Sequence, residues 1–197
     1  MSHEGRDDTQ RFYGQNFLTG AESIYKMNIS YLKSLHQHPK IKAWLVSEPI
    51  NVPYFDGKPL TFTLDGLTDA DENDAQKAIE AFLKLNSEAR LAASQYVFQN
   101  YRRMPDVIGE DEIDCHVKNP DDVWKYVHPT EIYVSRRDSR DKLIYIQITA
   151  ECDWEHEHDL QINYRRGNEL SRVSDQDGHL THTDAYDLPE EQDKIAG

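Results

Sequence analysis

The feature that most constrains this chain is a strict alternation near its C-terminal end. In KLIYIQITAEC, residues 142–152, Ile144, Ile146 and Ile148 alternate with Tyr145, Gln147 and Thr149. A period of two puts the isoleucines on one face of a strand and the polar side chains on the other. Three runs of similar character surround it: EIYVS from Glu131, LQINYRRG from Leu160 and LSRVS from Leu170. The gaps between them are short, charged or glycine-containing, and Arg166-Gly167-Asn168 reads as a tight turn. Strands this close together can be joined only by hairpins, so they are expected to pair antiparallel.

Upstream, Leu60, Phe62 and Leu64 alternate with Thr61, Thr63 and Asp65, while Pro49, Pro53 and Asp56-Gly57 interrupt the pattern. Two strands joined by a turn at Asp56-Gly57 fit, and the prolines suit an edge because proline cannot donate to a ladder. Between these β regions the period changes. Ala75, Ile79, Phe82 and Leu83 form one helical stripe, and Leu91, Tyr96, Phe98 and Tyr101 form another. Asn86-Ser87, with Glu88 close behind, is a cap between two helices. An acidic loop follows to about Asp122. At the other end, Ile24, Met27, Tyr31 and Leu35 are spaced for a helix over 21–38, stopped by Pro39.

The architecture expected is therefore α+β, a mostly antiparallel β-sheet with helices packed on one face. A chain of 197 residues suits one such unit. We divide it into an N-terminal extension and helix over 1–40, a single α+β domain over 41–186, and a flexible acidic tail over 187–197.

Charge narrows the function. Against 22 Lys and Arg stand 36 Asp and Glu, for a net charge of −14. The acidic residues gather at Asp69, Asp71, Glu72 and Asp74, and again at Glu110, Asp111, Glu112 and Asp114. Such a field repels phosphate backbones and anionic lipid and steers basic proteins inward. The sequence has no apolar stretch of membrane-spanning length, and MSHEGRDDTQ lacks the features of a signal peptide, so a cytoplasmic protein is expected. Cys115 and Cys152 then read as reduced thiols.

The densest cluster of reactive side chains is ECDWEHEHDLQ, residues 151–161. Were it a continuous strand, Cys152, Trp154, His156 and His158 would share a face, and Cys152, His156 and His158 would offer thiolate and imidazole to a zinc ion, with Glu155 or Glu157 as base. No Cys-x-x-Cys accompanies them. The reading adopted is instead an acidic hairpin end in water, with Trp154 and Leu160 folded back onto the core. Contact residues for a protein partner would then be Asp111, Glu112, Asp114, Asp153, Glu155 and Glu157, with no cofactor required.

Other clusters carry less. His128, His179 and His182 add possible bases near His156, but no nucleophile motif or phosphate loop supports them, and no catalytic residue is assigned. DADENDAQKAIE puts Asp69, Asp71, Asn73 and Glu80 at calcium-loop spacing, yet Asp74 stands where the loop needs glycine. In SDQDGHL, Asp175, Asp177 and Gly178 lack the first carboxylate, since Val173 occupies its place. Arg136, Arg137, Arg140, Arg165 and Arg166 would gather at one sheet rim, either to hold an anionic ligand or to pair with nearby Asp.

Cys152, Trp154, Glu155, Glu157, His158 and Leu160, with the order of segments from Ala43 to Leu180, resemble an uncharacterised bacterial domain family carrying a Cys-x-Trp-Glu-x-Glu-His-Gly-Leu segment. This chain has Asp159 where that family usually has glycine, which implies a left-handed backbone position that Asp tolerates. Small acidic domains of this style are similar to immunity proteins encoded beside bacterial toxins. The resemblance implies an antitoxin-like protein that neutralises a basic toxin domain by direct binding, and it brings no catalytic role to any residue.

Overall fold

In the computed structural model the residues described are 27–108 and 115–196. Alternation along the chain has produced a seven-stranded sheet in the order β1-β2-β5-β6-β7-β8-β9, from Leu35–Gln37, Leu45–Ser47, Phe62–Asp65, Val127–Arg136, Ile144–Cys152, Glu155–Arg165 and Glu169–Asp175. Neighbouring strands pair antiparallel except β5 and β6, which run parallel. A parallel pair needs a crossover, and the chain supplies α1 (Glu72–Leu83) and α2 (Ser87–Ile108) there. β3 (Ile50–Val52) and β4 (Lys58–Leu60) form a separate ribbon around Asp56-Gly57, with Pro53 opening a 3₁₀ turn between them. The fold is thus α+β, with a mostly antiparallel sheet.

Ile144, Ile146, Ile148 and Ala150 of β7 face the two long helices together with Leu160 and Ile162 of β8 and Ile132 and Val134 of β6, all buried. From the helices come Ala75, Ala78, Ile79 and Phe82 of α1 and Ala93, Val97 and Met104 of α2. Each large side chain withdrawn from water here contributes about 1.5–3 kcal/mol before chain entropy is counted. The helix break between α1 and α2 is capped as the sequence implies: Asn86 Oδ1 accepts from the Glu88 and Ala89 amides. Of the second expected stripe Leu91 is exposed and Tyr96, Phe98 and Tyr101 are half-buried, while α2 buries Ala93, Val97 and Met104 instead.

The opposite face of the sheet is polar yet covered. Gln147, Gln161 and Asn163 are buried, and Gln147 Nε2 donates to Gln161 Oε1 at 2.7 Å. Gln161 and Asn163 donate in turn to the carbonyls of His179 and Leu180. Over this face runs the closing segment with the short helix α3, His182–Tyr186.

Two expectations fail. The helix expected over 21–38 is absent from its described part, whose buried residues Met27, Ile29 and Leu32 do not share a helical face. The backbone there is bound by α1 instead, with the Asn28 amide donating to Glu72 and the Ser30 amide to Gln76, and β1 follows; residues 21–26 lie outside those described. The stretch from Asp187 on, expected as a loose acidic tail, is held to the sheet. Its Glu190 pairs with Arg137 and Arg140, and Asp193 with Arg165. The Ile195 carbonyl accepts from the Val173 amide on β9.

Candidate functional site

The cluster at 151–161 is not a continuous strand. Asp153 and Trp154 make a two-residue turn, closed by the pairing of Cys152 with Glu155. The cause is Trp154, which is fully buried, donates Nε1–H to Asn100 Oδ1 at 3.0 Å and meets the edge of the Tyr101 ring. An indole buried with its N–H satisfied anchors the hairpin end firmly against α2. Leu160 is fully buried as well. Asp153 is held from the other side by the Tyr126 carbonyl, which accepts from its amide, and by His128 Nε2 at 2.7 Å.

Between the pairs Cys152–Glu155 and Ala150–Leu160, β7 contributes one residue, Glu151, and β8 contributes four, 156–159. Those four must swing outward as a bulge. Asp159 supplies the bend with φ 57°, the left-handed position expected of it. Glu155 supplies the fastening: its carboxylate accepts from the amides of Glu157 and His158, both at 2.7 Å. Two successive amides aimed at one carboxylate make an anion nest. Glu155 is accordingly only 6% exposed. As a contact residue it is therefore corrected to an internal brace, because its oxygens are already engaged by its own bulge. The Gln176 amide ties the far side of the bulge to the carbonyls of His158 and Asp159.

What remains outward is an acidic edge. Glu151 and Glu157 are exposed, and Asp153 and Asp159 are half-buried. Burial pushes the Asp159 carboxyl up, and the neighbouring charges of Glu151 and Glu155 push it further. His156 acts in the opposite sense, and among the described residues no Lys or Arg pairs with Glu151, Glu157 or Asp159. Asp111, Glu112 and Asp114 lie outside the described residues.

The zinc candidates are placed apart in environment. Cys152 is buried in the core, donates its thiol to the Glu155 carbonyl at 3.4 Å, and is pushed up to about 12 by burial and then by Glu155. A zinc ligand must be thiolate, which this setting disfavours. His156 and His158 are exposed on the bulge, with His158 Nδ1 3.6 Å from Glu155. Among the described residues no group of three His, Cys, Asp or Glu is arranged to hold a metal ion.

The arginines do gather at the opposite end of the sheet, and each is matched by carboxylates of the same chain. Arg136 binds Asp71 and Asp74 at the start of α1. Arg137, 3% exposed, binds Asp184, Glu190 and Asp141, and Arg165 binds Asp141 and Asp193. Three of the calcium-like carboxylates are engaged too: Asp71 caps Thr68 in a capping box, Asp175 chelates Arg103, and Asp177 chelates Arg172. The remaining histidines sit in separate settings, His179 in the closing segment and His182 buried against Tyr186.

Missed from the sequence were the amides that frame these regions, Asn100 beneath Trp154 and the Gln161–Asn163 pair beneath the closing segment. Their signal was faint, an Asn or Gln at a position whose alternation placed it on a sheet or helix face without saying what covered it. No helix among the described residues is long and apolar enough to cross a membrane. Searches of curated proteins and of solved structures find no match. Residues 31–180, well over half of the chain, match the model of the family described as Domain of unknown function (DUF6985), and the chain belongs to that family.

Proposed function

We propose that this chain is a small acidic protein-binding domain that receives a basic protein partner at the β7–β8 hairpin end, in the manner of an immunity protein neutralising a toxin by direct binding. One observation carries the reading. At the far rim of the sheet carboxylates and arginines neutralise one another, whereas at the hairpin end Asp159 lies within electrostatic reach of Glu151 and Glu155, Glu157 is exposed on the same bulge, and no Lys or Arg pairs with Glu151, Glu157 or Asp159 among the described residues. Carboxylates left without a Lys or Arg on a folded edge attract an oppositely charged surface and accelerate its approach. The bulge is braced by Glu155 and Trp154, so little ordering is needed on contact.

The test is co-purification of the tagged full chain from its native cells, followed by binding kinetics with the partner so identified. For Glu151→Lys with Glu157→Lys the association rate at low salt is expected to fall by at least about tenfold, with a weaker dependence on ionic strength. An association rate unchanged by both reversals refutes the hairpin end as the contact.

A further inference from the structure

A second feature lies beside the hairpin end and has the opposite charge. A cleft of about 180 Å³ opens between the β3–β4 ribbon, the start of α2 and the beginning of β6, lined by Phe55, Lys58, Arg90, Trp124, Val127 and Pro129. We propose that it binds a small organic acid, with the carboxylate on Arg90 and Lys58 and an aromatic or branched apolar body on Trp124, Phe55 and Pro129.

In a chain of net charge −14, the two charged side chains lining this cleft are both cations. Arg90 is fixed before any ligand arrives. Its Nη1 donates to the Tyr54 carbonyl at 3.2 Å and pairs with Asp56 at 2.7 Å, and its guanidinium lies over the Trp124 ring at 5.8 Å. The Nε–H is left buried with no acceptor. A buried donor without a partner calls for an explanation, and a guanidinium and an ammonium lining one cleft are the groups suited to hold a carboxylate. Lys58 Nζ donates to the Pro129 carbonyl at 2.9 Å, and an ammonium has two further hydrogens to offer.

The apolar wall is fixed as well. The Trp124 indole N–H donates to Ser94 Oγ at 2.9 Å, so the ring is a set platform. The Phe55 ring, buried below it, meets it edge-on. The volume admits one ring bearing a carboxylate and little more, which selects a small acid over a larger ligand.

The probe is phenylacetate, titrated into the full chain while the tryptophan indole N–H resonances are followed by NMR, with Trp124→Phe identifying the relevant signal. A saturable shift of the Trp124 signal is expected, with a dissociation constant on the order of millimolar for so small a ligand, while the Trp44 and Trp154 signals stay in place. Phenylacetamide, which keeps the ring and lacks the charge, is expected to bind at least about tenfold more weakly. Lys58→Gln and Arg90→Gln should each weaken phenylacetate by a similar factor. Lys58→Gln leaves the Tyr54 and Asp56 contacts of Arg90 intact and so remains readable if Arg90→Gln fails to fold. Absence of a saturable Trp124 shift, or equal binding of acid and amide, overturns the proposal.

Discussion

Gly167 offers the sharpest test of how the sheet and α1 are fitted together. It lies in the turn between β8 and β9, where Arg165 pairs with Glu169, and its φ is +83°. A Cβ placed there would stand 1.9 Å from the Ala78 carbonyl oxygen and 3.1 Å from the Phe82 amide nitrogen, both backbone atoms of α1. Gly57 and Gly178 have φ of +84° and +78° but nothing within 4 Å of the corresponding Cβ. The three Gly→Ala variants therefore share one penalty, that of an L-residue at positive φ, about 1–2 kcal/mol. They share one gain as well, a less flexible unfolded chain, about 0.4–1 kcal/mol. Gly167→Ala alone adds a collision with a helix backbone that cannot rotate aside, so α1 must move off β7 and β8 and loosen Ile79 and Phe82. Overpacking of that kind costs about 1–3 kcal/mol. Urea unfolding monitored by circular dichroism, with the slope unchanged, should place Gly167→Ala below the other two by that margin. If all three unfolding free energies agree within about 0.5 kcal/mol, the close approach of the turn to α1 is not what the structure states.

Three further outcomes follow from the ion pairs and the histidines. Arg137→Met removes a buried guanidinium bonded to Asp184, Glu190, Thr181 and Thr183, leaving their acceptors unmatched; about 3–5 kcal/mol of stability should be lost, with amide exchange rising first over residues 181–196. Glu190 is held down to about 2 by hydrogen bonds from Arg137 and then Arg140, against an ordinary value of 4.5. A depressed carboxylate stabilises the fold fully above its unfolded value and ceases to as pH falls through the folded one, so the urea midpoint should drop between about pH 5 and 2. Glu190→Gln should flatten that slope, and a parallel slope in the variant removes Glu190 as its source. His156→Ala with His158→Ala should leave the unfolding free energy within about 0.5 kcal/mol, and protein purified without chelator should carry no stoichiometric zinc by elemental analysis. One zinc per chain, absent from the double variant, would transfer the function to a metal centre.

The sequence was most legible where one periodicity ran long enough to be unambiguous. The isoleucines of β7 and the Ala75, Ile79 and Phe82 stripe of α1 fall on opposite sides of one core because periods of 2 and 3.6 each lasted several residues. The 27–38 region misled because three apolar residues at helical spacing were outweighed by side chains from α1, Glu72 and Gln76, that capture its backbone from more than forty residues away. No local pattern encodes such a partner. The closing segment misled for a related reason. Its acidic composition reads as solvated, and only the folded sheet brings Arg137, Arg140 and Arg165 to the same rim to receive it.

At the hairpin end, composition and placement diverge in a way that bears directly on function. Glu155 and Glu157 are two residues apart and chemically identical, yet one faces inward to fasten the bulge and the other faces water. What separates them is the turn at Asp153 and Trp154, which takes its position from a hydrogen bond to Asn100 on α2. The acidic edge is thereby a consequence of the core: Trp154 fixes the turn, the turn aims Glu155 at two amides, and the braced bulge leaves Glu157 exposed and Asp159 within electrostatic reach of Glu151. Like charges brought together in this way raise the free energy of the folded protein, and the basic partner proposed above would lower it again on contact. Charge reversal at Glu157 should therefore affect the association rate with little change in stability. Glu155→Gln should do the reverse, loosening the bulge because a neutral amide oxygen accepts from the Glu157 and His158 amides less strongly than a carboxylate.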